Sequence, residues 1–393
     1  MNILETAKKY ESYIIDMRRH FHMNPEPSME EYETSKRVQE ELDKMGIEYV
    51  VCGNGIGVLA TIKGGKPGKT ILLRSDMDAL TVNEENDLEF KSTKPGLMHA
   101  CGHDAHTAIL LGVAQILKDI KEELCGTVKL AFQPAEEIGA GALAMIKEGA
   151  MEGVDAVYGA HIWSGVESGK ISIEEGPRMA SAARYEIKVQ GKGGHGAMPA
   201  ECVDAVTCTC AIVNSMQTIV SREFRPNDPV VVTVGTVNAG SRWNVIADNG
   251  SLTGTTRCYD AKIVKELPEK IERMARGIAA AYRCEIEFIY EDLLGPTINH
   301  PEMTAIAAEA AKKIYGEENL VHMDATTGGE DFSYFIDAAP NKMGAFAFPG
   351  VASAEWDSCH AHHSPKFKVD ESALLKGVAL YCQVAADFLN SEK

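Results

Sequence analysis

The sequence lacks the features that mark several large classes of protein. Ten cysteines occur in 393 residues, but no two of them form a C-x-x-C pair. No apolar run approaches the ~20 residues that span a bilayer, and the first ten residues are polar and carry lysine, unlike a secretory leader. We therefore expect reduced thiols, a cytoplasmic location and no membrane partner.

Positive charge is also scarce relative to negative charge. The chain carries 39 Lys and Arg against 57 Asp and Glu, a net charge of −18. A strongly negative surface is repelled by nucleic acid and by anionic lipid, so we expect neither as a partner. The glycine-rich segment 63–68 lacks the G-K-[ST] sequence and following helix of a phosphate-binding loop, which excludes nucleotide binding there.

Three strand-like apolar runs end in carboxylates or histidine. The runs are Thr70–Arg74, Thr127–Phe132 and Ala156–Ala160, and the residues that follow them are Asp76 and Asp78, Glu136 and Glu137, and His161. Helical periodicity near 104–120 and 140–149 separates the runs, which predicts an alternating α/β sheet. Because such sheets bind ligands at the carboxyl ends of their strands, these side chains should share one crevice with Cys101 and His103.

The octamer His99–His106 places a thiol and an imidazole, Cys101 and His103, on either side of Gly102. Such a pair can converge on one divalent metal ion. Each candidate also has an ordinary interpretation: a helix entry for the octamer, a solvated helix start for Glu136-Glu137, a satisfied core histidine for His161. Their joint occurrence at successive strand ends favours a two-metal hydrolytic site. In such a site Asp78 could orient a ligand histidine by accepting a hydrogen bond from the ring nitrogen that does not bind the metal.

From Ala182 the predicted elements change to the order βαββαβ, the ferredoxin-like unit. We therefore predict an α/β protein of two domains. A discontinuous catalytic domain with a central, mostly parallel sheet comprises residues 1–181 and 292–393, and an inserted α+β lid comprises residues 182–291. Cys208 and Cys210 fall within a predicted helix of the lid, and we expect both in its core. In the first domain, Ser28 and Glu31 predict a capping box for a helix ending near Gly46.

Further polar residues are candidates for substrate contacts. His195 lies in a glycine-rich loop, which could equally be a surface hairpin. Arg257 lies near the end of a predicted strand and could bind a substrate carboxylate through two hydrogen bonds. An arginine in an ordinary surface ion pair would look the same in the sequence. Asn244 lies in the loop before that strand. His360, His362 and His363 are clustered as metal ligands often are, or are simply polar loop residues.

The chain resembles the metal-dependent aminoacylase and hippurate hydrolase family, which includes plant indole-acetyl-amino-acid hydrolases and is related to glutamate carboxypeptidases. The matching motifs occur in family order across nearly the whole chain. They are Arg18-Arg19-His20-Phe21-His22, Arg74-Ser75-Asp76-Met77-Asp78, the octamer, Gln133-Pro134-Ala135-Glu136-Glu137, Gly159-Ala160-His161, Gly193-Gly194-His195-Gly196, Asn244-Val245-Ile246, Gly254-Thr255-Thr256-Arg257, Gly329-Glu330-Asp331-Phe332 and His363-Ser364-Pro365.

The resemblance implies a role for each candidate. Two divalent ions would be bound by Cys101, His103, Glu137, His161 and His363, with Glu136 as general base. His195 would complete the site of a partner subunit as an oxyanion donor, in a homodimer or tetramer formed through the inserted domain. The substrate carboxylate and carbonyl would be held by Arg257 and Asn244, with the Gly328-Gly329 backbone nearby. A thiolate ligand favours Zn²⁺, while Mn²⁺, Co²⁺ or Ni²⁺ suit the same mixed donors.

Three positions depart from the family pattern. Asp76 stands where glutamate carboxypeptidase relatives carry a ligand histidine, and Ala247 where relatives often carry proline. His360 and His362 lie so close to His363 that the last ligand is chosen by the Ser-Pro match alone.

These residues predict hydrolysis of an N-acyl amino acid, such as an N-acetyl or N-benzoyl derivative, to a carboxylic acid and a free amino acid. Metal-activated water would attack the amide carbonyl with Glu136 as base. The alternative within the class is a dipeptidase or carboxypeptidase. A metal-storage or regulatory protein has no need of an unliganded carboxylate beside its ions, so Glu136 argues against that class of protein. A relative that has lost activity would not be expected to keep every type of metal ligand.

Overall fold

The computed structural model describes residues 3–391 and divides the chain into two compact units. The first unit contains the described residues up to Arg178, the segment Ile298–Asp324 and the described residues from Asp331 onward. The second unit contains Met179–Thr297 and Ala325–Glu330. The segment 325–330, which carries Gly328 and Gly329, therefore falls in the second unit and not in the first, where sequence had placed it.

An eight-stranded sheet forms the centre of the first unit. Its strands, in spatial order, are Glu48–Cys52, Gly57–Lys63, Cys125–Gln133, Lys66–Asp76, Ala156–Ala160, Gly344–Ala352 and Trp163–Glu167, and Ile171–Ser172 pairs with Gly344–Ala352. The four successive pairings from Cys125–Gln133 to Trp163–Glu167 are parallel, whereas the two pairings at the opposite edge and that of the short Ile171–Ser172 strand are antiparallel. The predicted central, mostly parallel sheet is confirmed.

Helices cover this sheet. They are Ile3–Lys8, Glu11–Met23, Tyr32–Met45, His103–Asp119, Gly141–Lys147, Pro301–Tyr315, Phe332–Ala338 and Ser372–Asn390, with shorter helical turns at Gly53–Ile56, Lys121–Glu123, Glu317–Asn319 and Pro340–Lys342.

The helix His103–Asp119 is the buried core of the first unit. Fourteen of its 17 residues are buried, as expected of a helix that packs on nearly all faces. A Cβ atom on Gly112 would lie 2.9 Å from Ile14 Cγ1 and 3.0 Å from Val378 Cγ2. The glycine therefore allows two neighbouring helices to approach closely. This packing fixes the position of the helix, and with it the position of its first residue, His103.

The second unit is a four-stranded antiparallel sheet with two long helices. In spatial order its strands are Val230–Ala239, Asn249–Cys258, Ala182–Gln190 and Glu285–Leu294, and the helices are Ala205–Glu223 and Ala261–Ala281. Asp204 caps the first helix by accepting from the backbone N–H of Val206 at 2.9 Å. The strands Gly194–His195 and Val245–Ile246 pair separately, and Pro199–Glu201 is a helical turn. The order βαββαβ agrees with the predicted ferredoxin-like unit. Near its limits lie two further short strands, Gly176–Met179 and Thr297–Asn299.

Two local predictions are wrong. Glu31 precedes the helix Tyr32–Met45 without a side-chain capping bond, and Ser28 Oγ instead donates to Asp78 Oδ2 at 2.7 Å, so there is no capping box. Cys208 is buried but Cys210 is exposed, because the two residues point to different faces of their helix.

One described helix, Ser372–Asn390, is long and apolar enough to cross a membrane. However, 67% of its most apolar window is buried inside the fold. Burial of this kind is typical of a core helix, and packing against the first unit accounts for its apolar composition.

Candidate metal centre and active site

Three parallel strands bring the acidic and histidine residues to one edge of the sheet. Asp76, at the end of Lys66–Asp76, pairs in register with Gln133, and Arg74 on the same strand pairs with Gly159. The segments carrying Asp78, Glu136-Glu137 and His161 therefore leave the sheet at the same level, as the order of strand ends predicts.

Two residues with positive φ shape the turns at this edge. Gly102 has φ +92°, and a Cβ atom there would lie 2.4 Å from Ile162 Cδ1, so the turn between Cys101 and His103 needs glycine. Ala135 has φ +52°, and its N–H donates to Glu31 Oε1 at 2.7 Å. This tight turn lets the adjacent Glu136 and Glu137 face the same crevice, which an extended strand would not allow.

The candidate ligand atoms converge in overlapping groups, within each of which all the atoms lie within 4.8 Å of one another. The groups are Cys101, His103 and His161; Cys101, Glu137 and His363; His103, Glu136 and Glu137; and Asp76, His103 and His106. All five predicted ligands and Glu136 are thus brought together in the first unit. Because Cys101 and His103 each belong to more than one group, the arrangement fits two neighbouring cations.

His103 gives an independent test of whether the site fits a metal. Its Nδ1 lies 3.1 Å from Asp78 Oδ1, so the proton of the neutral ring is directed to that carboxylate. Its Nε2 is buried and makes no hydrogen bond within residues 3–391. A buried ring nitrogen among carboxylates, left without a hydrogen-bond partner, is a position that a divalent cation would complete.

The electrostatics of the ligands also favour a cation. Burial alone would lower the pKa of His103, but the negative charges of Asp76 and Asp78 outweigh it and raise that pKa to about 10. Burial raises the pKa of the Cys101 thiol well above its usual range, and Glu137 and Glu136 raise it further. A bound divalent ion would reverse both effects, because it stabilises a thiolate and a neutral imidazole.

His161 is held as a neutral ring. Its Nδ1 donates to the carbonyl of Ile162 at 2.6 Å, so Nε2 is unprotonated and accepts a hydrogen bond from Cys101 Sγ at 3.2 Å. Burial, with the electrostatic effect of the neighbouring His106 and His362 rings, lowers the pKa of His161 well below its usual range. An uncharged ring with a fixed tautomer is the form in which histidine binds metals.

The three C-terminal histidines have different surroundings. His363 Nε2 lies 3.5 Å from Glu137 Oε1. The backbone N–H of His363 donates to the carbonyl of Ala100, the residue before Cys101. His362 Nε2 instead accepts from the N–H of Ser164 at 3.2 Å, and the ring packs 5.0 Å from that of His161. His360 lies beside Asp357. These contacts favour His363 as the ligand.

Sequence reasoning gave no role to His106 and left that of Asp76 open. His106 Nδ1 lies 2.6 Å from Asp76 Oδ1, and Asp76 Oδ2 accepts from Arg74 Nη1 at 2.7 Å. The signal that was available is the helical spacing of His103 and His106, which places them on one face of a helix.

The remaining predicted residues lie in the second unit. His195 pairs with Val245, and its Nδ1 accepts from the N–H of Ala197 at 3.1 Å. The N–H of the neighbouring Gly196 donates to the carbonyl of Asn244 at 2.9 Å, which ties the two predicted segments together. The neutral ring of His195 therefore carries its proton on Nε2, from which it could donate.

Arg257 and the glycine pair lie elsewhere in this unit. Arg257 Nη1 donates to the carbonyl of Thr256 at 2.8 Å and also contacts Thr255 Oγ1. Burial lowers the pKa of Arg257. The N–H of Ala180 donates to the carbonyl of Gly328 at 3.0 Å, and a Cβ atom on Gly329 would lie 2.5 Å from Leu294 Cδ1, so this backbone is closely packed.

Comparison with known proteins identifies the family. The model of peptidase family M20/M25/M40 matches residues 72–387, a range that contains every candidate ligand. The chain belongs to this family. The resemblance read from the motifs is confirmed, and the protein is a metal-dependent amidohydrolase.

Individual relatives of this M20-family chain are similar over nearly their whole length. A thermostable carboxypeptidase of Saccharolobus solfataricus is 41% identical, with 98% of this chain and 97% of the relative aligned. An N-acetylcysteine deacetylase of Bacillus subtilis is 38% identical, with 98% and 99% aligned. The solved structure of a dinuclear metal-binding M20 peptidase of Bacillus subtilis superposes with a TM-score of 0.86 at 35% identity, covering 98% of this chain and all of that one.

Proposed function

We propose that this M20 enzyme hydrolyses the amide bond of N-acyl amino acids. The observation that carries the proposal is the convergence of the candidate ligand atoms of Cys101, His103, Glu137, His161 and His363, with Glu136 beside them. The similarity to an N-acetylcysteine deacetylase supports an N-acyl substrate. The similarity to a carboxypeptidase supports the alternative, cleavage of peptides.

In the proposed mechanism, Glu136 transfers the proton. Two divalent ions, when bound, would polarise the amide carbonyl and make a water molecule more acidic. The Glu136 carboxylate takes a proton from the attacking water and delivers it to the leaving amine nitrogen. Its nearly complete burial, with only 8% of its surface exposed, keeps bulk water from competing for that proton.

Residues of the second unit are proposed to bind substrate. The Nε2–H of His195 donates to the oxyanion that develops on the carbonyl, and the guanidinium of Arg257 pairs with the substrate carboxylate. Asn244 and the Gly328-Gly329 backbone complete the contacts. We place His195 in the site of a second subunit, in a homodimer formed through the second unit, in the cytoplasm.

Exposed apolar surface supports an interface on the second unit. The strand Val230–Ala239 lies at an edge of its sheet, and Trp243, in the loop that follows, is 91% exposed. Uncovered strand edges and large apolar side chains are characteristic of association surfaces.

A substrate panel tests the reaction. Metal-loaded protein is assayed for amino-acid release from N-acetyl and N-benzoyl amino acids and from dipeptides, with and without a chelator. Chelator-sensitive release from the acyl amino acids is expected. Release from dipeptides alone would replace the proposal with the peptidase alternative, and silence across the panel with verified metal content would contradict both.

Two variants test the residue roles. Glu136→Gln should retain its metal content and lose at least about 100-fold in kcat, while the exposed Glu122→Gln should behave as wild type. Mixing inactive Glu136→Gln with inactive His195→Ala should restore part of the activity if subunits share sites. Verified subunit exchange without any recovery would show a site complete within one chain.

A further inference from the structure

Asp76 and His106 form a buried pair behind the candidate metal centre. Asp76 is fully buried and His106 is only 4% exposed. The Asp76 carboxylate accepts from Arg74 on one side and lies 2.6 Å from His106 Nδ1 on the other. The pair is therefore fixed in position by the central sheet.

The second nitrogen of His106 determines the tautomer of the ring. His106 Nε2 accepts a hydrogen bond from the backbone N–H of Ile162 at 3.0 Å, so this nitrogen carries no proton. The ring proton is then on Nδ1 and is donated to Asp76. Because both nitrogens are engaged, His106 is not available as a ligand, although it belongs to one of the candidate groups.

The residue that His106 holds, Ile162, contacts two segments that carry proposed ligands. Its carbonyl accepts from His161 Nδ1 at 2.6 Å, which orients that ring. Its side chain packs on Gly102, between Cys101 and His103, where a Cβ atom would lie 2.4 Å from Ile162 Cδ1. The ring of His106 also meets that of His161 edge-on, at 4.7 Å between centroids.

We propose that His106, anchored by Asp76, is a positioning residue for the metal centre, and that it acts by fixing the backbone of Ile162. The hydrogen bond from Ile162 to His106 holds the carbonyl that orients His161 and holds the side chain that supports the Cys101–His103 turn. This inference rests on the proposed metal ligands and adds to them a residue that binds no ion itself.

Two amide variants separate the two hydrogen bonds of His106. His106→Asn places its amide near the position of Nδ1, so it can still donate to Asp76 but leaves the Ile162 N–H without its acceptor. His106→Gln reaches the position of Nε2, so it can accept from Ile162 but no longer satisfies Asp76. Each variant loses one buried hydrogen bond, which makes each the matched control of the other.

The measurement is Co²⁺ binding to metal-free protein by titration calorimetry, with the sulfur-to-cobalt absorption band reporting the ion bound by Cys101. Wild type should bind two ions per chain, and His106→Gln should bind both with affinities close to wild type. His106→Asn should bind one of them about 10- to 100-fold more weakly. Circular dichroism and thermal unfolding of the metal-free variants show that both are folded.

Several outcomes overturn the inference. Two ions bound by His106→Asn with wild-type affinity would remove the positioning role, and equal losses in the two amide variants would reduce it to packing or charge. If His106→Asn does not fold, His106→Ala, which also leaves the Ile162 N–H without its acceptor, should weaken binding of the same ion, and unchanged affinities would overturn the inference. Wild type binding fewer than two ions would instead contradict the proposed function.

Discussion

The Nδ1 atom of His103 lies 3.1 Å from Oδ1 of Asp78, and both side chains are fully buried. The same carboxylate accepts from Ser28 Oγ and from the N–H of Glu137 through its other oxygen. Asp78 therefore links a proposed ligand histidine to the backbone of a proposed ligand glutamate.

Asp78→Asn should weaken metal binding by about 10- to 100-fold, because a neutral amide orients His103 less strongly and adds no negative charge. The measurement is the dissociation constant for Co²⁺ or Zn²⁺ by titration calorimetry. The exposed Asp87→Asn is the surface control. Equal affinities for Asp78→Asn and wild type would show that Asp78 does not support the ion.

Gly102→Ala should destabilise the protein more than Gly46→Ala. Both glycines have positive φ, but a Cβ atom on Gly46 would meet nothing within 4 Å. Gly46→Ala should therefore cost only the conformational term, about 1–2 kcal/mol. Gly102→Ala adds a clash with Ile162, which should cost about 1–3 kcal/mol more. Denaturant unfolding of the metal-free proteins measures the difference in the free energy of unfolding. Equal losses would mean that Ile162 moves aside without cost.

Glu31→Gln should change how the stability of the metal-free protein depends on pH. Burial, with the negative charge of Asp78, raises the pKa of Glu31 to about 7. Because the folded-state pKa is raised, the stabilisation from its bound proton is present below the unfolded pKa of about 4.5 and is lost as the pH rises through 7.

The variant has no such proton to lose, so its advantage over wild type should grow by up to about 3 kcal/mol between pH 5 and pH 8. Urea unfolding at both pH values measures this difference, with the exposed Glu33→Gln, two residues further along the chain, as control. An advantage that is constant with pH would show that Glu31 is ionised in the folded protein throughout.

Arg18→Met should cost about 3–5 kcal/mol in the free energy of unfolding. Arg18 Nε donates to Asp104 Oδ2 at 2.9 Å and its Nη1 to Glu371 Oε1 at 3.1 Å, and all three side chains are buried. Removing the cation leaves both carboxylates short of a partner. Lys8→Met breaks the exposed pair with Glu5 and should cost less than about 1 kcal/mol; similar losses for both variants would contradict the buried-charge argument.

Local patterns in the sequence determined much of the architecture. The apolar runs that end before Asp76, before Glu136 and at Ala160 predicted strands of a mostly parallel sheet, and the structure aligns their ends. The periodicity of the apolar residues and the order of the predicted helices and strands also predicted the ferredoxin-like sheet of the second unit. Such patterns are readable because strand alternation and helical spacing are properties of short segments.

Tertiary structure decided the relationships between distant segments. Ser28 has the sequence context of a helix cap, but its hydroxyl bonds to Asp78, fifty residues away, because the fold buries that carboxylate beside it. His106 and Ile162 are 56 positions apart, and only the packing of a helix against a strand end joins them. The sequence by itself determined which groups could bind metal and on which elements they lie. The fold alone decided which of their nitrogens are engaged by other residues, because hydrogen-bond partners are assigned by the packing of distant segments.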